Sequence, residues 1–158
     1  MEMETFRLPT EQELKRFLEL NNLAPMVIKN TENITLISNE DFGTVRLTFL
    51  TADSNNITHH GKISYRIKGR IRPVEALLSS QYCLTVLLIV FNNEEIIEKA
   101  HKILAQNING ENVIVHTKNQ KHIIIVTDCL FDLEKKVFHL GDIFIYDNND
   151  IMIYRKKL

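Results

Sequence analysis

The chain has no tryptophan, three prolines, five glycines and two cysteines among its 158 residues. Each shortage excludes something. Two cysteines cannot build a disulfide scaffold, nor a four-cysteine zinc site. Five glycines leave no room for a collagen repeat, and no G-x-G-x-x-G or P-loop pattern occurs, so a phosphate-cradling loop is not expected. No internal repeat, linker or low-complexity tract is visible either. The longest mainly apolar run, Cys83 to Phe91, is far short of the about 20 residues that a membrane-spanning helix needs. No basic segment followed by an apolar one opens the chain, so no secretory leader is expected. An intracellular setting follows, cytoplasmic or nuclear, or that of a viral protein inside its host, with no membrane partner. The sequons at Asn33 and Asn56 then read as accidental.

What is present is one domain's worth of apolar sequence. The composition is 44% hydrophobic and 25% charged, with a formal net charge of −1. That is enough for a real core and rules out a disordered chain. It also rules out a protein held on nucleic acid by its total charge. Asparagine takes over the turn punctuation that glycine and proline usually supply. The pairs Asn21-Asn22, Asn55-Asn56, Asn92-Asn93 and Asn148-Asn149 mark element boundaries, because asparagine tolerates the left-handed region.

The spacing predicts a helix over about 10–22, opened by a Thr10/Glu13 capping box, with Leu14, Phe17 and Leu18 on one stripe. Strands are expected at 25–29, 33–38 and 44–51, where Val45, Leu47 and Phe49 alternate with Thr44, Arg46 and Thr48. Residues 74–81 read as a helical turn or loop, and 82–91 as a strand buried on both faces. A second helix is expected over 94–106, with Ile96, Ile97, Ala100, Ile103 and Leu104 inward. Strands at 112–117, 122–131 and about 136–140 precede a terminal hairpin. The fold class is therefore α+β in a single domain, 1–158, mostly antiparallel sheet with two main helices. Residues 1–55 can form an N-terminal extension or subdomain, and 132–158 hold the hairpin. The strand, strand, helix, strand order within 56–131 resembles a partly closed OB-type barrel, although no third barrel strand is visible between 91 and 94. A plain antiparallel sheet with packed helices fits as well.

The stretch from Lys62 to Pro73 carries the most information. Lys62, Arg66, Lys68, Arg70 and Arg72 stand at even positions, and Ile63, Tyr65, Ile67 and Ile71 at odd ones. A period of two puts five cations on one strand face. Such a face repels itself unless an anion sits on it. Phosphate is one suitable anion, since arginine grips it in a bidentate fork and lysine as a point charge. The plainer alternative is a solvated edge strand, which lysine and arginine protect from aggregation. Asp128, Asp132, Glu134, Asp142, Asp147 and Asp150 form an acidic stretch that can compensate the cations within the fold or between subunits.

The terminal hairpin is apolar on both faces: Ile143 and Ile145 against Phe144 and Tyr146, then Ile151 and Ile153 against Met152 and Tyr154. It is either sandwiched inside the domain or docks a partner. In the second case Ile143, Phe144, Ile145, Tyr146, Ile151, Met152 and Tyr154 are the interface. The six histidines show no metal-ligand spacing, and His59 and His60 must point oppositely in a strand. Cys83 and Cys129 read as buried, inert thiols; pairing Cys129 with His116 or His122 gives only a weak nucleophile reading. No catalytic residue, metal or cofactor is expected. The leading expectation is a non-catalytic binding or assembly subunit whose basic strand face takes nucleic acid or an acidic partner. The alternative is a protein-interaction module or homodimer that uses the hairpin.

Overall fold

A computed structural model describes residues 5–66, 72–107, 112–126, 131–132, 137–138 and 140–157. They fall into two compact units, 1–70 and 71–158.

The first unit contains β1 (Phe6–Arg7), α1 (Glu11–Leu20), β2 (Val27–Asn30), β3 (Thr35–Asp41), β4 (Thr44–Asp53) and β5 (Thr58–Arg66). All pairs are antiparallel. β4 lies between β3 and β5, β2 flanks β3, and β1 pairs with the far end of β4. Helix α1 starts where the capping box places it: the Thr10 hydroxyl accepts from the Glu13 N–H, and the Glu13 carboxylate accepts from the Thr10 N–H. Asn21 closes the helix, and Asn22 and Asn56 take left-handed backbone at the boundaries their pairs marked. Phe17 packs on Ile37 and Leu50, with Leu14, Leu18 and Leu23 around them.

Arg7 clamps Glu13 with two hydrogen bonds of 2.7 and 3.0 Å. That clamp, followed by the Thr10 N–H, lowers the Glu13 pKa to about 2. An unfolded glutamate titrates near about 4.3. The folded value is the lower one, so the contribution is complete above the unfolded pKa and is lost as pH falls toward about 2. Glu13→Gln should therefore flatten the fall of thermal stability across this acid window. An unchanged acid profile in the variant would contradict the clamp.

The second unit contains β6 (Val74–Gln81), β7 (Leu84–Phe91), α2 (Glu94–Lys99), β8 (Lys102–Asn107), β9 (Val113–His116) and β10 (His122–Val126), then β11 (Phe131–Asp132), β12 (Val137–Phe138), β13 (Leu140–Tyr146) and β14 (Met152–Lys156). One sheet runs β10-β7-β6, another β14-β13-β8-β9, and β11 pairs with β12. The two larger sheets share one core. Leu87, Ile89, Phe91, Ile123 and Ile125 come from the first; Ile103, Ala105, Ile143 and Ile145 come from the second; Ile96 and Ala100 join from α2 and its end. Val86, Leu88 and Val90, on the opposite face of β7, are fully buried too, as the uninterrupted apolar run predicts.

Three expectations change. Residues 74–81 form strand β6, paired from Val74↔Phe91 to Gln81↔Leu84, with Tyr82 and Cys83 as a two-residue turn at positive φ. Cys83 is consequently exposed, not a core thiol. The second helix stops at Lys99, because Ala100 is extended and β8 begins at Lys102. Ile103 and Leu104 had fitted a helical stripe. Alternation sends Ile103 and Ala105 into the core instead, while β8 pairs with both β9 and β13. Such double pairing overrides a weak helical preference. Finally, among the described residues the sheets do not close into a barrel, and residues 56–131 straddle the boundary between the units. What stands is a mostly antiparallel α+β chain with two short helices. Asn109-Gly110, a turn signal in the sequence, and Gly69, a bulge signal within the cationic stretch, lie outside the described residues.

Candidate polyanion-binding face

Alternation along β4 divides its side chains. Val45, Leu47 and Phe49 share one face and are fully buried. Arg46, Thr48 and Leu50 share the other, onto which α1 packs at Leu50. The β4–β5 register then selects what joins them: Thr44↔Arg66, Arg46↔Ser64, Thr48↔Lys62 and Leu50↔His60. Residues directly opposite across an antiparallel pair share a face. Arg46, Lys62, Ser64 and Arg66 therefore stand on the sheet face that carries the helix. Adjacent strands are about 4.8 Å apart and alternate residues about 6.7 Å apart along a strand, so the three cations span a patch roughly 13 Å long.

His60 lies against Phe17, ring centres 5.1 Å apart. Together with Asn21, Leu23, Arg46, Thr48 and Lys62 these rings line a cleft of about 180 Å³. Its wall includes the end of α1, whose last turn carries no basic residue. Arg46 and Lys62 thus complement the negative end of the helix dipole, a structural role in its own right. Arg66 stands further along the sheet, toward the β3–β4 turn. Lys62 and Arg66 are exposed and Arg46 is half-buried. Among the described residues none of the three has an ion pair or side-chain hydrogen bond. Asp41, exposed on the same face at its far end, is likewise without an ion pair there.

The five cations expected on one strand are only partly placed. Lys62 and Arg66 keep the predicted alternation. Arg72 belongs to the second unit, where its carbonyl accepts from Asn92 Nδ2 at 3.0 Å. Lys68 and Arg70 lie outside the described residues. Arg46 was missed as a site residue. Its alternation with Val45 and Leu47 marked it as polar-face, but only strand pairing sets it beside Ser64.

Within the acidic stretch, Asp142, Asp147 and Asp150 have local partners. Arg155 Nε donates to Asp142 at 2.7 Å, and Lys102 Nζ donates to Asp150 at 2.9 Å. Asp147 accepts the N–H groups of Asn149 and Ile151. Asp128 and Glu134 lie outside the described residues. Within the hairpin, Ile143 and Ile145 are fully buried, and Ile153 and Tyr154 pack partly against the same core. Phe144 and Tyr146 face the other way, beneath Arg155 and Lys102 at 5.2 and 4.9 Å from the ring centres. Ile151 and Met152 are exposed.

His139 lies outside the described residues, and the other histidines make contacts within the fold. His59 Nε2 lies 2.7 Å from Asp53 Oδ2, while Asp53 Oδ1 accepts from the N–H groups of Asn55 and Ile57. The His59 contact first, then those N–H groups, lowers the Asp53 pKa. His59 and His60 point to opposite faces, as adjacency on a strand requires. His101 and His116 meet edge to face, and His122 is buried. Among the described residues no cluster of His, Cys, Asp and Glu can hold a metal ion. Cys129 lies outside the described residues. No described helix is long and apolar enough to cross a membrane. Compared with models of protein families, with curated proteins and with solved structures, the chain finds no match in any of the three.

Proposed function

We propose that the protein is a non-catalytic binding subunit that takes the phosphate backbone of nucleic acid on the β4–β5 face, through Arg46, Lys62 and Arg66. The observation that supports this best is the shared face itself: three cations in register, without a carboxylate partner among the described residues. Grouped like charges cost free energy, and a phosphate chain offsets that cost. Phosphate contacts of this kind set affinity and orientation and read little sequence. Three such contacts on a single strand give a slope of log affinity against log salt near about −2, a loss of roughly 20-fold between about 50 and 200 mM. Fluorescence anisotropy of a labelled oligonucleotide over that range measures it. Salt-independent binding would defeat the reading.

A protein-interaction module is the second reading, supported by the outer face of the β14-β13-β8-β9 sheet. There the cations are already engaged by Asp142, Asp150 and the two rings, and Ile114 and Met152 are exposed. A charge-compensated apolar face suits a protein better than a polyanion.

A further inference from the structure

The turn between β3 and β4 consists of Phe42 and Gly43, at φ 48° and 77°. Asp41 pairs with Thr44 across it, so this is a two-residue hairpin loop with left-handed backbone at both positions. Asn-Gly is the favoured sequence there, because asparagine tolerates that backbone and a larger side chain strains it. Asparagine takes such backbone at Asn22, Asn56 and Asn119, and the comparable two-residue turn Tyr82-Cys83 also opens on an aromatic, but Tyr82 is partly covered. At the β3–β4 turn it places a phenylalanine that is 97% exposed. The ring gains almost nothing from the fold, and the turn would be better served without it. The other phenylalanines and tyrosines whose burial is described are all at least partly covered. A strained residue that makes no use of its side chain within the folded chain points to a role outside it.

Its surroundings say what that role is. Thr44, the residue after the turn, pairs with Arg66, and Arg46 follows on the same face. An exposed aromatic ring beside a row of cations is a combination that suits single-stranded nucleic acid: phosphates track the charges and a base stacks on the ring. A duplex offers no unpaired base. An anionic lipid surface fits less well, because attachment to it scales with the apolar area inserted and a single ring supplies little. We propose that Phe42 is a base-stacking residue and that the ligand of the β4–β5 face is single-stranded nucleic acid. This rests on the polyanion reading of that face.

The test compares a labelled oligothymidine with a duplex of matched length, using the full chain and its Phe42→Ala, Phe42→Trp and Phe42→Asn variants. Phe42→Ala should weaken oligothymidine binding about 5- to 150-fold and leave duplex binding unchanged. Phe42→Trp should keep single-strand affinity. Phe42→Asn should lose it while raising the midpoint of thermal unfolding, since it relieves the turn. A purely structural phenylalanine would not produce that opposition. Equal oligothymidine affinity for wild type and Phe42→Ala overturns the stacking role and leaves the cationic face standing. Equal losses on oligothymidine and duplex overturn it too. Wild type that binds no polyanion at low salt overturns both readings. Binding to phosphatidylserine vesicles but not to oligothymidine assigns the tip to lipid and overturns this one.

Discussion

Reversing three charges, Arg46→Glu with Lys62→Glu and Arg66→Glu, should abolish nucleic-acid binding while leaving the chain folded. Loss of three charged phosphate contacts at about 1 kcal/mol each already costs about 150-fold, and the new carboxylates add repulsion. The fold should tolerate this. Among the described residues Lys62 and Arg66 are exposed on β5, which pairs there with β4 alone, and none of the three holds an ion pair. The expected structural cost is small and comes mainly from placing carboxylates near the end of α1, where the dipole favours cations. Circular dichroism and the thermal midpoint check the fold, and anisotropy checks the binding. Normal affinity in a folded triple variant would show that the ligand lies elsewhere.

Ile145→Ala should destabilise the second unit by about 2–5 kcal/mol, the usual cost of truncating a buried isoleucine. Ile145 is fully buried, pairs with Ile103 and Tyr154, and belongs to the core that joins both larger sheets. Met152→Asp, on the exposed side of the same hairpin, should change stability by less than about 0.5 kcal/mol. Chemical denaturation separates the two. If Ile145→Ala left stability unchanged while altering the association state, the hairpin would be a docking element and not part of the core. Sedimentation of Met152→Asp bears on the second functional reading: a shift from dimer to monomer would support the outer face as an interface.

Local signals carried much of the architecture. The Thr10/Glu13 spacing set the start of α1, the asparagine pairs fell at boundaries, and the alternations around Val45 and Ile63 gave β4 and β5 their faces. The failures have a common cause in pairing between distant segments. Ile103 and Leu104 fit a helical stripe equally well, and only β9 and β13 on either side make β8 a strand. Val74–Gln81 lacks an obvious alternation and is held as a strand by β7. The candidate site shows the same limit. Lys62 and Arg66 could be read from one segment. Arg46 stands 16 or more residues from both and joins them only through the β4–β5 register. Phe42 followed by glycine gave no signal as a hairpin tip, because phenylalanine is a poor residue for left-handed backbone.

Salt titration of oligonucleotide affinity, run on the wild type beside the triple charge-reversal variant, bears most directly on the claim that a local cationic face binds a phosphate chain. The wild type should show a slope near about −2, and the variant should retain little binding and little salt dependence. Equal slopes and equal affinities for the two proteins would contradict it.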